Sequence, residues 1–377
     1  MRARDAGYTL AELLVVVAIF SIVMILLSIS FSRVVSSSGQ IVKSEETDIG
    51  GLIELEVLRI DLGSAGFGLP WSLGGVGYSE ADDHVIDGNA DTNPSLFNDA
   101  PDRPPRAFVL AKDKGLNHSD YLVLKGTALG MTRSSRRWSY LNYSSTKAII
   151  KPSKSELELD PKNGERVIVV NSGIRDGVPV RDLVVDGGSF SLGLDYTLPE
   201  AFRPKSRQDS YLVYGLAPSP EGSEDKITFP FNRADYYLGR SDASSTICAH
   251  GTGMLYRGQV SQKGNLKSFP ILDCVADFQV VFLNGDGVAT DIDFPDDAAR
   301  QIREHVKEVR LYILAQQGKK DPGYSYPVTD PSRALVVGSG AFGRAWKQSE
   351  LISTFGDDWQ HYRWKLYTIA VQPNNLD

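Results

Sequence analysis

The apolar and polar positions along the chain set a short N-terminal segment apart from the rest. From Leu10 to Phe31 the sequence is apolar almost throughout, and Glu12 is the only charged residue in the run. An apolar run of about 20 residues is long enough to cross a bilayer as a helix, and a helix in lipid satisfies its own backbone hydrogen bonds. The pattern therefore predicts a membrane-spanning helix over residues 8–31.

A second helical pattern follows this run. Apolar residues recur at three- and four-residue spacings with glutamates between them, which is typical of a helix that packs one face on a core. The apolar positions are Ile49, Leu52, Ile53, Leu55, Val57, Leu58 and Ile60. Gly63, Gly66 and Pro70 come next and predict the end of the helix. We expect the N-terminal helix to comprise residues 8–62.

The remainder of the chain, residues 63–377, consists of short runs of β-forming residues between glycines and prolines. One short helix is predicted from about Asp297 to Glu304, and the polar stretch Ser79–Arg106 is predicted to be a long loop. The fold class is therefore α+β, with a long N-terminal helix packed on a mainly antiparallel β body. The predicted strands are Ala107–Ala111, Tyr121–Lys125, Arg166–Val170, Tyr211–Leu216, Met254–Gln259, Asp277–Leu283, Arg310–Ala315 and Trp364–Gln372.

Composition and charge narrow the function and the topology. Apolar residues make up 42% and charged residues 23% of the chain, as in an ordinary globular protein. The formal net charge of −7 argues against nucleic acid as a partner. Arg2 and Arg4 precede the apolar run and Arg33 follows it, a slight bias that favours a cytoplasmic N-terminus and an exported body.

The start of the chain carries a processing pattern. Gly7 and Tyr8 stand just before the apolar run, and Glu12 lies within it. A secretory signal peptide would have a shorter apolar region with its cleavage site after it. The pattern resembles the class III signal of type IV prepilins, although that family usually has phenylalanine where Tyr8 stands. The resemblance implies that residues 1–7 are a leader, that prepilin peptidase cleaves between Gly7 and Tyr8, and that Tyr8 is then N-methylated.

Glu12 is the second part of that pattern. An ionisable residue within a membrane helix is a functional-site hypothesis by default. Pilins pack their apolar helices side by side in a filament core, so the resemblance implies that Glu12 neutralises the amine of Tyr8 in a neighbouring subunit. A buried charge is tolerated when it is paired. We expect Glu12 to matter for assembly more than for folding.

The body is similar, over scattered segments, to the PilW group of minor pilins. These segments are Ile60–Gly68, His118–Leu124, Asp273–Val280 and Tyr362–Tyr367. The arginine-rich end that is typical of the group is replaced here by Gln372–Asn375. The resemblance implies a non-enzymatic minor pilin that primes or caps a type IV pilus. The alternatives are a large pseudopilin of type II secretion, a pilus-tip binding protein, or a membrane-anchored exported enzyme.

Location and partners follow from the same resemblance. The chain is expected to be a single-pass protein of the inner membrane, with a periplasmic body, which then enters the pilus near its tip. Its expected partners are prepilin peptidase, the other minor pilins, the major pilin, the pilus assembly platform and a tip-associated adhesin.

Cys248 and Cys274 are the only cysteines. Both lie in the part predicted to be exported, where disulfides persist, and two cysteines allow one connectivity. Their spacing fits neither a C-x-x-C redox motif nor a zinc site. A disulfide is favoured over free thiols.

Two acidic loops offer hard oxygen ligands, and Ca²⁺ is the ion that such ligands would suit in an exported compartment. Neither loop matches an EF-hand, and the same residue types form turns without a metal. No other cofactor is expected. The candidate ligands are Asp87, Asn89 and Asp91 in the first loop and Asn284, Asp286, Asp291 and Asp293 in the second.

One further motif has to be weighed. Gly338, Gly340 and Gly343 match G-x-G-x-x-G, which binds dinucleotides only within a βαβ unit that has an acidic residue further on. The short remaining sequence has no such unit, so a glycine-rich turn is predicted. The five histidines form no H-E-x-x-H pair.

Overall fold

The computed structural model describes residues 55–143, 160–195, 198–217, 227–240, 247–339 and 342–376, together with residues 10, 14, 15, 17, 19–25, 27 and 28. Helix α1 comprises residues 55–64 of the described part, and it is followed by α2 (Ala298–His305) and α3 (Gln348–Phe355). The strands are β1 (Phe108–Ala111), β2 (Tyr121–Gly126), β3 (Trp138–Leu141), β4 (Arg166–Arg175), β5 (Val178–Leu183), β6 (Ser191–Gly193), β7 (Ser210–Ala217), β8 (Asn232–Gly239), β9 (Gly253–Val260), β10 (Leu266–Leu283), β11 (Ala289–Thr290), β12 (Glu308–Gln317), β13 (Leu335–Ser339), β14 (Phe342–Trp346) and β15 (Arg363–Val371).

The strands form two sheets and a separate hairpin. The larger sheet has the order β1-β2-β8-β9-β10-β12-β15, and β11 pairs with β10 outside that path. The smaller sheet has the order β3-β7-β4-β5, with β6 paired to β4, while β13 and β14 form the hairpin. The pairings between these strands are all antiparallel, and a single isolated bridge, between Ser72 and Asp182 of β5, is parallel among the described residues, which confirms the prediction of a mainly antiparallel body.

Helix α1 packs one face on the main core. Leu55, Leu58 and Leu62 are buried at the predicted three- and four-residue spacings, and they share a core with strands of the larger sheet. The helix stops where the glycines begin. Gly66 has a φ of 84°, and its N–H donates to the carbonyl oxygen of Lys125 at 2.9 Å. A side chain at that position would come within 2.9 Å of the Asn375 carbonyl oxygen, so both the backbone angle and the space require glycine.

The central strands β10 and β12 are covered on both faces. Leu311 and Ile313 lie in the core that contains Leu58. The alternate residue Tyr312 packs with Trp346 and other residues of the β13–β14 and α3 region on the opposite face. Because successive side chains of a strand point to opposite faces, double coverage gives the near-continuous apolar sequence from which these strands were predicted.

All eight predicted strands are present, and the predicted short helix is α2. The stretch Ser79–Arg106 is irregular as predicted, with two short 3-10 helices, Ala90–Thr92 and Pro94–Phe97. Strand β10 begins at Leu266 rather than at Asp277. The elements that the sequence pattern missed are β3, β5, β6, β8, β11, β13, β14 and α3.

Among the described residues, the structure contains no helix with the length and apolarity that a membrane crossing requires. The predicted span, residues 8–31, lies partly outside the described residues and stays a prediction.

Candidate functional site

The predicted processing and assembly residues Gly7, Tyr8 and Glu12 lie outside the described residues. The described residues around them, from Leu10 to Ser28, are helical. Their apolar side chains are exposed, and Leu10 is 80% and Phe20 60% accessible. An exposed apolar surface of this kind marks a site for lipid or for another protein.

Helix α1 is fixed to the sheet by a buried ion pair. The Asp61 carboxylate accepts hydrogen bonds from Arg257 Nε and from the Tyr236 hydroxyl, both at 2.7 Å. Arg257 also donates to the Leu129 carbonyl oxygen at 2.8 Å. Burial by itself would lower the pKa of Arg257, but the attraction of Asp61 outweighs it and leaves this pKa raised. Since removing either charge would leave the other buried and unpaired, this contact holds α1 in one position on the body.

The opposite face of α1 is not covered by the described body. Val57 and Ile60 are 43% and 51% exposed on that face. Glu56 and Arg59 lie beside them and form an exposed ion pair at 3.7 Å. The helix therefore presents an apolar strip to the outside while its other face is anchored, which is the arrangement of a helix that packs against further helices.

A second buried ionic cluster holds the irregular stretch Ser79–Arg106 on the larger sheet. Lys125 Nζ lies 2.8 Å from Glu80 Oε2 and 2.6 Å from Asp99 Oδ2. Arg233 pairs with Asp235 at 2.8 Å and with Glu80 at 3.2 Å. The four side chains of Lys125, Glu80, Arg233 and Asp235 are entirely buried. Their charges compensate each other, which is the condition under which buried charges are tolerated.

The electrostatics of this cluster agree with its geometry. Burial would raise the pKa of Asp99, but Lys125 and Arg106 outweigh that effect and hold the pKa below its usual value. The Tyr121 hydroxyl donates to Asp235 Oδ2 at 2.8 Å, and the Tyr121 ring stacks on Phe97 with ring centroids 4.6 Å apart. The loop is therefore tied to the sheet by charge and by ring stacking together.

Two adjoining cavities of about 760 Å³ and 770 Å³ open on one side of the body. Leu116, Asn117, Arg240 and Thr354 line both of them. Several lining residues have a positive φ although they are not glycine, and such strained positions cluster at functional sites. They are Asp87, Asp113, Asn117 and His118 in the first cavity and Cys274 in the second.

A buried carboxyl group lies beneath the wall of the first cavity. Asp277 is fully buried and accepts hydrogen bonds from Trp346 Nε1 at 2.7 Å and Gln279 Nε2 at 2.9 Å. Burial raises its pKa to about 6. Arg344 lies over the Trp346 ring, 4.0 Å from its centroid, and covers that face of the ring.

The two cysteines form the predicted disulfide. Cys248 and Cys274 are bonded, with their Cα atoms 5.1 Å apart. The bond joins the segment before β9 to β10 at the point where the β9–β10 register shifts, between Leu272 and Val275. It forms part of the lining of the second cavity.

The first predicted metal loop is held by protein contacts. Asn89 Oδ1 accepts from the Asp91 N–H at 3.0 Å, and Asp91 pairs with Lys114 at 3.3 Å. The Asp87 carboxylate accepts from the backbone N–H of Arg240. These contacts are those of a turn, and calcium binding at Asp87, Asn89 and Asp91 stays a prediction.

The second predicted metal loop has the same character. Asn284 Oδ1 accepts from the N–H groups of Asp286 and Val288, both at 3.0 Å, and Asp291 accepts from the Asp293 N–H at 3.1 Å. Within the part of the chain that the structure describes, one group of three His, Cys, Asp or Glu residues has ligand atoms within 4.8 Å of one another. That group is Cys248, Asp273 and Cys274, and both of its sulfurs belong to the disulfide.

The G-x-G-x-x-G motif lies in the β13–β14 hairpin, where Gly338 is paired with Gly343. A side-chain carbon on Gly338 would lie 2.0 Å from the Phe342 carbonyl oxygen, so the pair is needed for close backbone approach. The described glycines therefore lie in an antiparallel hairpin and not in a βαβ unit, while Gly340 lies outside the described residues and the turn itself stays a prediction.

The sequence pattern did not identify Asp61, Arg257 or the cluster around Lys125. Asp61 could have been found, because it occupies the buried face of the same helical repeat as Leu58 and Leu62. A charged residue at such a position requires a partner. The partner itself, far along the chain, has no local signal.

Comparison with known proteins finds a match to a protein family at the start of the chain. The family described as the prokaryotic N-terminal methylation motif matches residues 2–28, a segment that includes Gly7, Tyr8 and Glu12. No curated protein and no solved structure matches the chain. The motif indicates a type IV pilin-like protein of a pilus or pseudopilus system. It also implies a membrane anchor, processing by prepilin peptidase and assembly with pilus components.

Proposed function

We propose that this chain is a minor pilin of the PilW type that primes or caps type IV pilus assembly and has no enzymatic role. The observation that carries the proposal is the methylation motif at residues 2–28, followed in the same chain by a helix anchored on a large antiparallel body. The motif supports membrane storage and filament entry. The size of the body supports a minor rather than a major subunit, since major pilins and most pseudopilins are much shorter.

In this proposal the N-terminal helix moves from lipid to a filament core. After cleavage between Gly7 and Tyr8, the methylated amine of Tyr8 enters the core and pairs with Glu12 of a neighbouring subunit. The pairing removes the cost of burying either charge alone. Exposed Val57 and Ile60 on α1 continue the same contact surface toward the body. The Asp61–Arg257 pair keeps the angle between helix and body fixed while neighbours are added.

A second candidate function is supported by the two adjoining cavities. A pilus-tip protein that binds a surface ligand needs a pocket on the body rather than on the helix. Both cavities are lined by Arg240, an exposed cation, and by Asn117, which has a positive φ, and the first cavity is also lined by His118, which has a positive φ as well. A tip position would let one subunit both prime the filament and bind a ligand.

The proposal is tested by isolating sheared filaments and measuring the N-terminal residue and its mass. We expect the chain to be present and to begin with N-methylated Tyr8. Deletion of the gene is expected to abolish pili. Loss of protein secretion with normal pili would assign the chain to a type II secretion pseudopilus instead, and an intact Met1 leader on assembled protein would refute processing.

A further inference from the structure

The buried ionic cluster around Lys125 brings one amine into contact with two carboxyl groups. Lys125 Nζ lies 2.6 Å from Asp99 Oδ2 and 2.8 Å from Glu80 Oε2. The side chains of Lys125 and Glu80 are entirely buried, and that of Asp99 is 2% exposed. An amine and a carboxyl group that are held in contact need no encounter to react, which is the largest obstacle to condensation between them in water.

The surroundings of Lys125 exclude water. The ring centroid of Phe231, which is fully buried, lies 5.5 Å from Lys125 Nζ. The Phe97 carbonyl oxygen lies 3.4 Å from the same nitrogen, and the Phe97 side chain is also buried. Burial penalises a charged amine and a charged carboxylate relative to uncharged groups. An amide between the two side chains carries no charge, so it is favoured by this environment and is shielded there from hydrolysis.

The Asp99 carboxyl group is held by hydrogen bonds that would assist attack on its carbon. Oδ1 accepts from Arg106 Nε at 2.6 Å, and Oδ2 accepts from the Arg106 backbone N–H at 2.9 Å while it faces Lys125. A cationic donor on Oδ1 stabilises the negative charge that develops on this oxygen when a nucleophile adds to Cγ. Burial would raise the pKa of Asp99, but Lys125 and Arg106 outweigh it and lower this pKa. The ion pair is therefore the resting state, and a reaction through the neutral pair is slow but has to occur only once in each chain.

Glu80 is placed to move a proton between the two reacting groups. Its Oε2 contacts Lys125 Nζ, and its Oε1 accepts a hydrogen bond from the Asp99 backbone N–H at 2.6 Å. Arg233 lies 3.2 Å from Oε2 and helps to fix the carboxylate. A positioned carboxylate that takes a proton from an amine and returns it to a leaving oxygen acts as a general base and then as a general acid.

The charges of the cluster identify Asp99 rather than Glu80 as the group that reacts. Condensation removes the charge of Lys125 and the charge of one carboxylate. If Asp99 reacts, the cation left with fewer partners is Arg106, whose side chain is 15% exposed and reaches solvent. If Glu80 reacts, that cation is Arg233, whose side chain is entirely buried. A cation that is left near water costs less than one that is left in the interior.

We propose that Lys125 and Asp99 become joined by an intramolecular isopeptide bond, which the folded chain forms by itself with Glu80 as the proton carrier. Lys125 Nζ adds to Asp99 Cγ, and negative charge develops on Oδ1 beside Arg106. Of the three protons of the ammonium group, one stays on the amide nitrogen and two pass to Oδ2, one of them by way of Glu80. The Cγ–Oδ2 bond breaks, water leaves, and Glu80 returns to its initial state. The reaction consumes no oxidant, reductant or other reactant.

The bond closes a covalent ring that contains β1 and most of β2. Asp99 precedes β1, and Lys125 lies near the end of β2, with a sequence separation of 26. The Lys125 N–H also donates to the Ala107 carbonyl oxygen at 3.0 Å, at the start of β1. The ring therefore fastens the edge strand β1 and the end of the stretch Ser79–Arg106 to the larger sheet. This inference does not depend on the proposed function, because the reacting groups all belong to one body.

The test is the mass of the full-length wild-type chain, purified from membranes in detergent and incubated until its mass no longer changes. We expect this mass to be lower, by the mass of one water, than the mass calculated for the disulfide-bonded chain with its observed N-terminus. Proteolytic digestion should give a branched peptide in which Lys125 is attached to Asp99. An unchanged mass overturns the proposal, and a branch at Glu80 overturns the assignment of Asp99.

The pair of Lys112 and Asp120 is a matched control within the same chain. Lys112 Nζ lies 2.7 Å from Asp120 Oδ2, which is nearly as close, but the Lys112 side chain is 51% exposed. The same digest should therefore contain Lys112 and Asp120 in unlinked peptides. A bond at this pair as well would show that contact alone is sufficient, and it would overturn the role given to burial and to Glu80.

Three variants separate the roles of the residues. Lys125→Arg keeps the charge but cannot form this amide, so its mass should be unchanged. Glu80→Gln keeps the shape but cannot carry the proton, and bond formation in pulse-labelled chains should slow by about a hundredfold or more. Formation at the wild-type rate would overturn the role of Glu80.

Asp99→Asn decides the site of attack even if Glu80→Gln fails to fold. Attack on the side-chain amide carbon of this variant releases ammonia in place of water, so its mass should be lower by the mass of one ammonia. Circular dichroism compared with that of the wild type establishes that the variant is folded. A folded Asp99→Asn chain that loses no ammonia would overturn the assignment of Asp99 Cγ as the carbon that Lys125 attacks.

Discussion

The N-terminal helical residues and the β body differ in where their apolar side chains lie. The described residues between Leu10 and Ser28 expose their apolar side chains, and the helix is recognisable from sequence. The body buries its apolar side chains and several complete ion pairs, and no family model matches it. The helix depends on lipid or on other subunits for its partners, whereas the body supplies its own. Changes in the helix should therefore affect assembly, and changes in the body should affect folding.

The largest expected effect comes from Glu12→Ala. This variant should be inserted and cleaved, and its body should fold, because the proposed pair with Tyr8 is made between subunits. Entry into filaments should fall more than about tenfold, since the neighbour's amine would be buried without a carboxylate. The measurement compares membrane and sheared-pilus fractions with those of the wild type.

Glu56→Ala is the matched control, because Glu56 is a glutamate on α1 and its ion pair with Arg59 is exposed. It should enter filaments normally. Normal incorporation of Glu12→Ala would show that Glu12 is not the assembly contact. Loss of the Glu12→Ala protein from both fractions would indicate misfolding. It would contradict the expectation that changes in the N-terminal helix affect assembly and not folding.

The second prediction concerns the body alone. Arg233→Met leaves Glu80 and Asp235 buried with one cation fewer, and breaking a buried pair costs about 3–5 kcal/mol. We expect the free energy of unfolding in urea to fall by that amount, with β2, β8 and the stretch Ser79–Arg106 losing hydrogen-exchange protection first. Cleavage of the leader should persist.

Arg300→Met is the control for that experiment, because Arg300 forms exposed ion pairs with Asp297 and Glu304 on α2. Exposed pairs contribute about 0–1 kcal/mol. Equal effects of the two substitutions would mean that the buried cluster does not hold the body together in the way described.

An element can be predicted from the sequence when the residues that stabilise it are close together along the chain. Helix α1 could be predicted because Leu55, Leu58 and Leu62 recur at helical spacing within one short segment. Strand β12 could be predicted because burial of both of its faces makes it an apolar run. Strand β8 was missed because Arg233 and Asp235 interrupt its pattern. Both are buried, but the contact with Glu80 that makes this possible lies far away in sequence and has no local trace.

The candidate site follows the same rule. The motif around Gly7 and Glu12 could be predicted, because peptidase recognition and helix packing act on contiguous residues. The anchor between Asp61 and Arg257 and the cavities around Asn117 are assembled from distant segments. Glycine residues gave partial information: Gly66 marks the helix end, and Gly338 marks a hairpin rather than a nucleotide site.

The third prediction is a smaller effect on the body. The double variant Cys248→Ser with Cys274→Ser removes a bridge with a sequence separation of 26. A loop of that length gives about 3 kcal/mol of stabilisation, chiefly by restricting the unfolded chain. We expect a loss of that size in urea unfolding. Reductant should lower the wild type to the level of the double variant and leave the variant unchanged; equal stability of both proteins without reductant would contradict the prediction.

The smallest effect is expected from Asp277→Asn, and it depends on pH. Burial raises the pKa of Asp277 from 3.8 to about 6 in the folded protein, so between these values the folded state holds a proton that the unfolded state has lost. Stability contributed at this position therefore falls as pH rises from about 4 to about 6, and it stays constant above that range. The total change is on the order of 2 kcal/mol.

Asparagine cannot ionise but can still accept the hydrogen bond from Trp346 Nε1. We therefore expect the free energy of unfolding of the variant, minus that of the wild type, to be larger at pH 7 than at pH 4. The reason is that only the wild type has to bury a carboxylate at the higher pH. Urea unfolding of both proteins at the two pH values isolates this residue from the other carboxylates. Asp330→Asn is the control of opposite sign, because hydrogen bonds from Ser332 lower the pKa of exposed Asp330. A difference between wild type and Asp277→Asn that does not change with pH would mean that Asp277 is ionised in the folded body, held by Arg344 at 3.8 Å rather than neutralised by burial.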